Sequence, residues 1–391
     1  MTNTKFFPKV QRLSMAVALL ASFYIARAQT GTAGSRPPVG PGNVIVHPTK
    51  GGTILGFDID QNGTEGLLSE FLTLGNGDCP YATETFDQKT GEIIKIVNKG
   101  DSFGCGDDDV TWGVTGSSVG FVMHQHSITF DHVANTYELL NPLEGNQITG
   151  PWDLDNKAER VYGISRNQGT PVNAFQVFNY LKQLEYVFGS DVAGNKFGPV
   201  VQLSSYSGIV GLNTKTNTAV LTGGGQPFGP SYIYQVDLAS GKVTTFFGIG
   251  SGMVQGIAVD SADNIAVTTT FGDASVEFYD LTNQTGFEET LPGIPQNCNA
   301  ACAGVDVEFD PIHKVFLVAQ PISSQQLNSN TSTIYVYDTQ GNLQETLNGF
   351  NFFTQRFDVY PVHIALHPSD RSGYVDVTNS LGVGALQSFT Y

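Results

Sequence analysis

The chain has 391 residues, with 19 Lys and Arg against 36 Asp and Glu, a formal charge of −17 and only 14% charged residues. So acidic a surface repels phosphate backbones and anionic headgroups, which argues against nucleic acid and membrane surfaces as partners. Hydrophobic residues at 40% suffice for a core, and 45 glycines imply many tight turns, so a large β-structure fits and a disordered chain does not.

Residues 1–28 carry the pattern of a signal peptide. Lys5, Lys9 and Arg12 precede the apolar run Leu13–Ile25, and Ala26-Arg27-Ala28 offers small residues around a cleavage point. That run is shorter than the roughly 20 residues needed to span a bilayer. The expectation is a secreted, extracellular protein (periplasmic in a Gram-negative source) with no membrane insertion. Cleavage removes four basic residues and no acid, taking the formal charge to −21. Residues 29–42 read as a flexible Gly/Pro-rich leader, and 43–391 as one folded domain.

From there two kinds of hairpin alternate. The first, with strands A and B, reads as apolar strand, polar turn, apolar strand. Its copies are Ile54–Leu74, Val110–Met123, Pro151–Ser165, Ser207–Leu221, Gln255–Thr270, Gly304–Ala319 and His363–Thr378. The second, with strands C and D, places an Asp and a Gly or Asn turn between alternating strands. It occurs at Thr83–Val97, Ser127–Leu139, Ala174–Tyr186, Tyr232–Phe246, Ser275–Thr290 and, most clearly, Thr333–Leu347. Its anchors Asp87, Asp131, Asn179, Asp237, Asp280 and Asp338 recur about every 50 residues, a propeller-blade period. The fold class is therefore all-β, a seven-bladed β-propeller.

Seven A–B hairpins but only six C–D hairpins leave the last blade one strand short. Ala385–Tyr391 supplies its C strand, and Asn43–His47, ahead of the first blade, is free to serve as its D strand and close the ring. A second register competes. Val46-His47-Pro48 echoes Leu366-His367-Pro368, so residues 43–59 also read as an A–B pair.

In such a ring the A strands line the central channel. Their starts fall near Thr53, Asp109, Pro151, Ser207, Gln255, Gly304 and His363. The D–A and B–C connections share one end of the ring and are the long ones, so that end is the expected binding surface. Four cysteines in an exported chain imply disulfides, paired here as Cys79–Cys105 and Cys298–Cys302, both at the loop-rich end. The ligand-binding residues expected there are Asp107, Asp108, Asp109, His124, His126, Gln255 and His363. His124 and His126, two apart in extended chain, point the same way and with an aspartate suit zinc; the competing reading is polar loop residues that never converge. Asp58-Ile59-Asp60-Gln61-Asn62-Gly63 opens like a calcium loop, with Asp58, Asp60 and Asn62 as ligands. Yet Ser69 stands where a bidentate Glu belongs, and Asn62-Gly63 is equally a hairpin turn. Asn62, Asn283 and Asn330 each head an N-glycosylation sequon.

The phrases Ile364–Asn379 (IALHPSDRSGYVDVTN) and Tyr335–Gly341 (YVYDTQG) resemble the secreted seven-bladed propellers of the YVTN and lactonase-like group. That resemblance implies a lactone-hydrolysing, ring-opening (muconate-cyclase-like) or purely binding role. The residues at the A-strand starts are not the Glu/Asn/Asn/Asp calcium set of the gluconolactonase-like members. The leading expectation is a monomeric binding protein for a small molecule, glycan or protein. The alternative is a lactonase-like hydrolase or cyclase using a His or Asp at the channel mouth.

Overall fold

A computed structural model describes residues 38–391 apart from 50, 62–63, 72–80, 101–109, 114–118, 123–127, 132–135, 140–145, 149–152, 156–159, 168–172, 180–183, 191–195, 198–209, 225–229, 240–241, 252, 272–274, 293–305, 321–331, 351–362 and 378–383. Within 97–209 it describes the backbone alone. Val39–Tyr391 forms one compact unit.

β1 (Gly40–Val46) precedes the first blade, which holds β2 (Thr53–Ile59), β3 (Glu65–Phe71), β4 (Tyr81–Asp87) and β5 (Ile93–Gly100). The second blade is β6 (Val110–Gly113), β7 (Val119–Val122), β8 (Ile128–Asp131) and β9 (Thr136–Leu139). The third holds β10 (Asn146–Ile148), β11 (Asp153–Asp155), β12 (Arg160–Asn167), β13 (Asn173–Asn179), β14 (Leu184–Ser190) and β15 (Lys196–Phe197). The fourth is β16 (Val210–Asn213), β17 (Thr218–Gly224), β18 (Pro230–Asp237) and β19 (Val243–Ser251). The fifth is β20 (Met253–Asp260), β21 (Ile265–Phe271), β22 (Ser275–Asp280) and β23 (Thr285–Thr290). The sixth is β24 (Asp306–Asp310), β25 (Val315–Gln320), β26 (Ser332–Asp338) and β27 (Leu343–Phe350). The seventh begins with β28 (Ile364–His367), β29 (Ser372–Asp376) and β30 (Leu386–Thr390).

Each blade is an antiparallel meander in chain order, innermost strand first. The inner strands neighbour one another in a closed cycle: β2 beside β6, then β11, β16, β20, β24, β28 and back to β2. The seventh blade takes β1 as its outermost strand, with Gly40 opposite Thr390 and Val46 opposite Leu386. The ring is thus closed by the N-terminal strand on the C-terminal one, and the competing A–B register for 43–59 is not adopted. β1 starts at Gly40, inside the stretch read as leader. The A-strand starts shift by one to three residues from those read in the sequence, to Val110, Val210, Met253, Asp306 and Ile364, while Thr53 is met. In the third blade the inner position is split, with β10 and β11 both pairing β12. Pro151, the third expected A-strand start, lies outside the described residues.

Both faces of a blade pack on neighbouring blades, so the middle strands read as near-continuous apolar runs; all six residues of β25 (VFLVAQ) are buried. Between the fifth and sixth blades Val267, Val276, Phe278, Phe316 and Tyr335 form one core layer. Between the seventh and first, Val46, Ile54, Leu68, Phe86 and Leu386 form another. Each such side chain contributes about 1.5–3 kcal/mol of apolar burial. The outermost strand of the fifth blade, β23, has every residue exposed.

The repeated Asp has a mechanical role. At Asp260, Asp280 and Asp310 one carboxylate oxygen accepts two backbone N–H groups of the turn, at 2.7–3.3 Å. Each of these turns then ends on a non-glycine residue at positive φ, Asn264, Gln284 and Lys314 respectively. The side-chain acceptor thus does locally what a longer loop would otherwise be needed for.

Candidate functional site

Turn geometry fixes which residues are equivalent around the ring. Counting inward from Asp310, Asp260 and Asp60, each opening the A–B turn of its blade, Asp306 of β24 stands level with Gly256 of β20 and Gly56 of β2. His363 holds the same level in the seventh blade, just before β28. This level is the loop-rich end of the channel wall.

The inner strands are knitted together there. A Cβ on Gly256 would lie 2.8 Å from the Val307 nitrogen and 2.9 Å from the Asp306 Cα, so the fifth and sixth blades meet backbone to backbone. Asp306 Oδ1 accepts from Val307 N–H at 2.9 Å, and its Oδ2 reaches the next blade to accept from Ile364 N–H at 2.7 Å. The carbonyl of His363 accepts from Asp376 N–H at 3.2 Å. The His363 Nε2 is buried and has no hydrogen-bond partner among the described residues. Onward to the first blade, the fully buried Glu70 accepts from Gly52 N–H at 3.1 Å, and Gly52 accepts from Gly384 N–H at 2.9 Å. A carboxylate and an imidazole thus stand in one sector of the mouth, groups suited to polar ligands.

Gln255 sits where the β20–β21 register shifts between Val254 and Gly256. The first blade repeats this irregularity between Ile54 and Gly56. The irregularity adds one residue to the strand, so the alternation that selected Gln255 does not carry through it. Asp107, Asp108, Asp109, His124 and His126 lie outside the described residues, as do Cys79, Cys105, Cys298 and Cys302. Of the calcium set, Asp58 lies in β2 opposite Leu67 and turns its Oδ1 to the Ile59 N–H at 2.7 Å. Asp60 opens the turn by donating its N–H to Glu65 at 2.9 Å, and Asn62 lies outside the described residues. Among the described residues no three His, Cys, Asp or Glu are grouped to hold a metal ion. Asp306 was missed by sequence reading. Its signal, an Asp placed four residues before the turn Asp, is visible only once the turns are aligned.

The opposite end is built for rigidity. Lys314 Nζ grips both oxygens of the buried Asp260 at 3.0 and 3.1 Å, tying the sixth blade to the fifth. Desolvation works to lower the Lys314 pKa, but the Asp260 and Asp263 carboxylates outweigh it and hold the ammonium above its ordinary value. Tyr391 donates its phenol to the buried Asp310 at 2.8 Å, and the Arg371 guanidinium lies 5.3 Å from its ring. Burial, then the Asp310 bond, pushes that phenol well above the usual tyrosine range. Asn213 and Asn264 join the fourth and fifth blades at 2.5 Å.

No protein-family model matches the sequence, and the search among curated proteins gave no match. Among solved structures, a chain in one described as "Crystal Structure of Mitotic Checkpoint Complex" superposes with a TM-score of 0.61. The alignment covers 93% of this chain and 95% of that one at 11% identity. Likeness of this kind speaks for the propeller fold alone.

Proposed function

We propose that this is a secreted binding protein that engages a small molecule, glycan or protein through the loop-rich end of its propeller. The observation that carries the proposal is the contrast between the two ends. A–B and C–D turns are four or five residues long throughout, whereas 198–209, 291–305, 321–331 and 351–363 connect strands at the other end. Long connections on a rigid scaffold are where propellers vary their recognition. The structural neighbour's occurrence in a complex agrees with a binding role. The YVTN-like phrases support membership of the secreted lactonase-like group, and the N-terminal pattern supports export.

One observation favours a second reading. The buried Nε2 of His363 stands at the channel mouth, where a lactonase-like hydrolase or cyclase would place an acid–base group. A glycan array and a lactone panel, run on the wild type and on a His124→Ala/His126→Ala/His363→Ala variant, separate the two. Glycan binding that the variant loses, with no lactone turned over, supports the binding role. Lactone turnover that the variant loses replaces it with the enzymatic one. Binding untouched by the variant but abolished by substitutions at Lys89 and Lys242, in the turns of the other end, overturns the placement.

A further inference from the structure

We infer that Asn283 is an N-glycosylation site whose glycan stands beside the open outer edge of the fifth blade. The inference rests on the proposal that the chain is exported. Asn283-Gln284-Thr285 has the acceptor spacing, and its place in the fold suits the chemistry. The asparagine lies in the β22–β23 turn, exposed together with Gln284 and Thr285. The turn is held by Asp280, whose Oδ1 accepts the Thr282 and Asn283 N–H groups at 2.9 and 3.0 Å. Its Oδ2 accepts one N–H of the Asn283 side chain at 2.7 Å. An amide nitrogen that carries a sugar keeps one N–H, so a bond of this kind is compatible with modification of the exposed side chain. The Asn62 and Asn330 acceptors lie outside the described residues.

In the reaction the Asn283 amide nitrogen attacks the anomeric carbon of an oligosaccharide borne on a lipid diphosphate. The N-glycosidic bond forms as the sugar–oxygen bond to the diphosphate breaks. The lipid diphosphate leaves, and the transferase takes the amide proton. The finished site adjoins the start of β23, an outermost strand with all six residues exposed, including Phe287 at 42%. Such an edge invites pairing with other chains, and a hydrated glycan at its first residues blocks that approach.

The full chain, with its own first 28 residues and separately with a heterologous secretion leader, would be produced in a eukaryotic secretory host and collected from the medium. Peptide mapping after enzymatic glycan release in heavy-oxygen water should find amide-to-acid conversion at position 283. Asn283→Gln and Thr285→Ala should each remove one glycan step in gel mobility, and Thr285→Ser should retain it. Modification under both leaders supports site and export together. Modification under the heterologous leader alone supports the site and refutes the export reading. Protein secreted under either leader with position 283 unmodified overturns the inference.

Discussion

Tyr391 gives the sharpest test of how the ring is held. Its side chain is 1% exposed, packs at 6.0 Å from Phe389, lies under Arg371 and donates to an Asp310 carboxylate that is itself fully buried. Tyr391→Phe removes only the hydroxyl. Asp310 keeps the Ile312 and His313 N–H groups and the His313 ring at 2.6 Å, so the loss falls in the lower part of the range for bonds to charged groups, about 2 kcal/mol. Tyr391→Ala also empties an aromatic site and should cost about 5 kcal/mol. For the 353 residues of Val39–Tyr391, the unfolding entropy is about 0.7 kcal/mol/K if melting is two-state. The melting temperature should therefore fall by about 3 °C for Tyr391→Phe and about 7 °C for Tyr391→Ala, read by calorimetry. Equal losses in the two variants would mean that the hydroxyl matters more than the ring. No loss in either would refute the view that this residue pins the sixth blade to the seventh.

Gly256→Ala places a methyl carbon within 3 Å of backbone in the next blade and should cost about 1–3 kcal/mol, read by calorimetry; an unchanged melt would refute the close approach of the fifth and sixth blades. Removing residues 1–46 strips β1 from β30 and should yield concentration-dependent self-association in light scattering, because the seventh blade is left with an open edge. Stability should be lost above about pH 10. Tyr374 is pushed up to about 12 by burial, with Tyr337 and Tyr391 pushed higher. The unfolded chain releases those protons from pH 10 while the folded one holds them, so folding weakens as pH rises. Lys314, raised above 10.5, adds in the same direction, its stabilisation complete below 10.5 and lost through its folded value. A melting temperature that does not fall between about pH 9 and about pH 11 would contradict this.

Much of the architecture is written openly in the chain, because a turn that depends on Asp280 or Asp310 must show that residue at a fixed place between alternating strands. Ring closure is legible too, by the arithmetic of a missing D strand, and β1 on β30 answers it. The channel mouth is harder to read. Period-2 alternation carries from a turn only until a bulge intervenes, and one extra residue at Leu55 or Gln255 exchanges the faces of everything beyond it. Asp306 escaped because a lone Asp early in GVDVEFD looks like loop polarity until the Ile364 N–H from another blade is seen on it. Long-range partners of that kind have no local signature. Asp107–Asp109, His124 and His126 remain expectations of the sequence, outside the described residues.

The two ends of the ring divide the work in a way that bears on where binding resides. At the short-turn end the polar groups are committed to one another across blades: Asp260 to Lys314, Asp310 to Tyr391, Asn213 to Asn264. Removing one partner leaves the other with a hydrogen bond fewer, at a cost of about 2 kcal/mol for Asp310 and less at the half-exposed Lys314, where solvent screens the pair. That end therefore tolerates little variation and offers few free groups to a ligand. At the other end Asp306 and Glu70 hold the inner strands through backbone N–H groups, so the wall stays fixed whatever residues the adjoining loops carry. A wall fixed by main-chain contacts leaves loop sequence free to change, and that separation is what the proposed binding role requires.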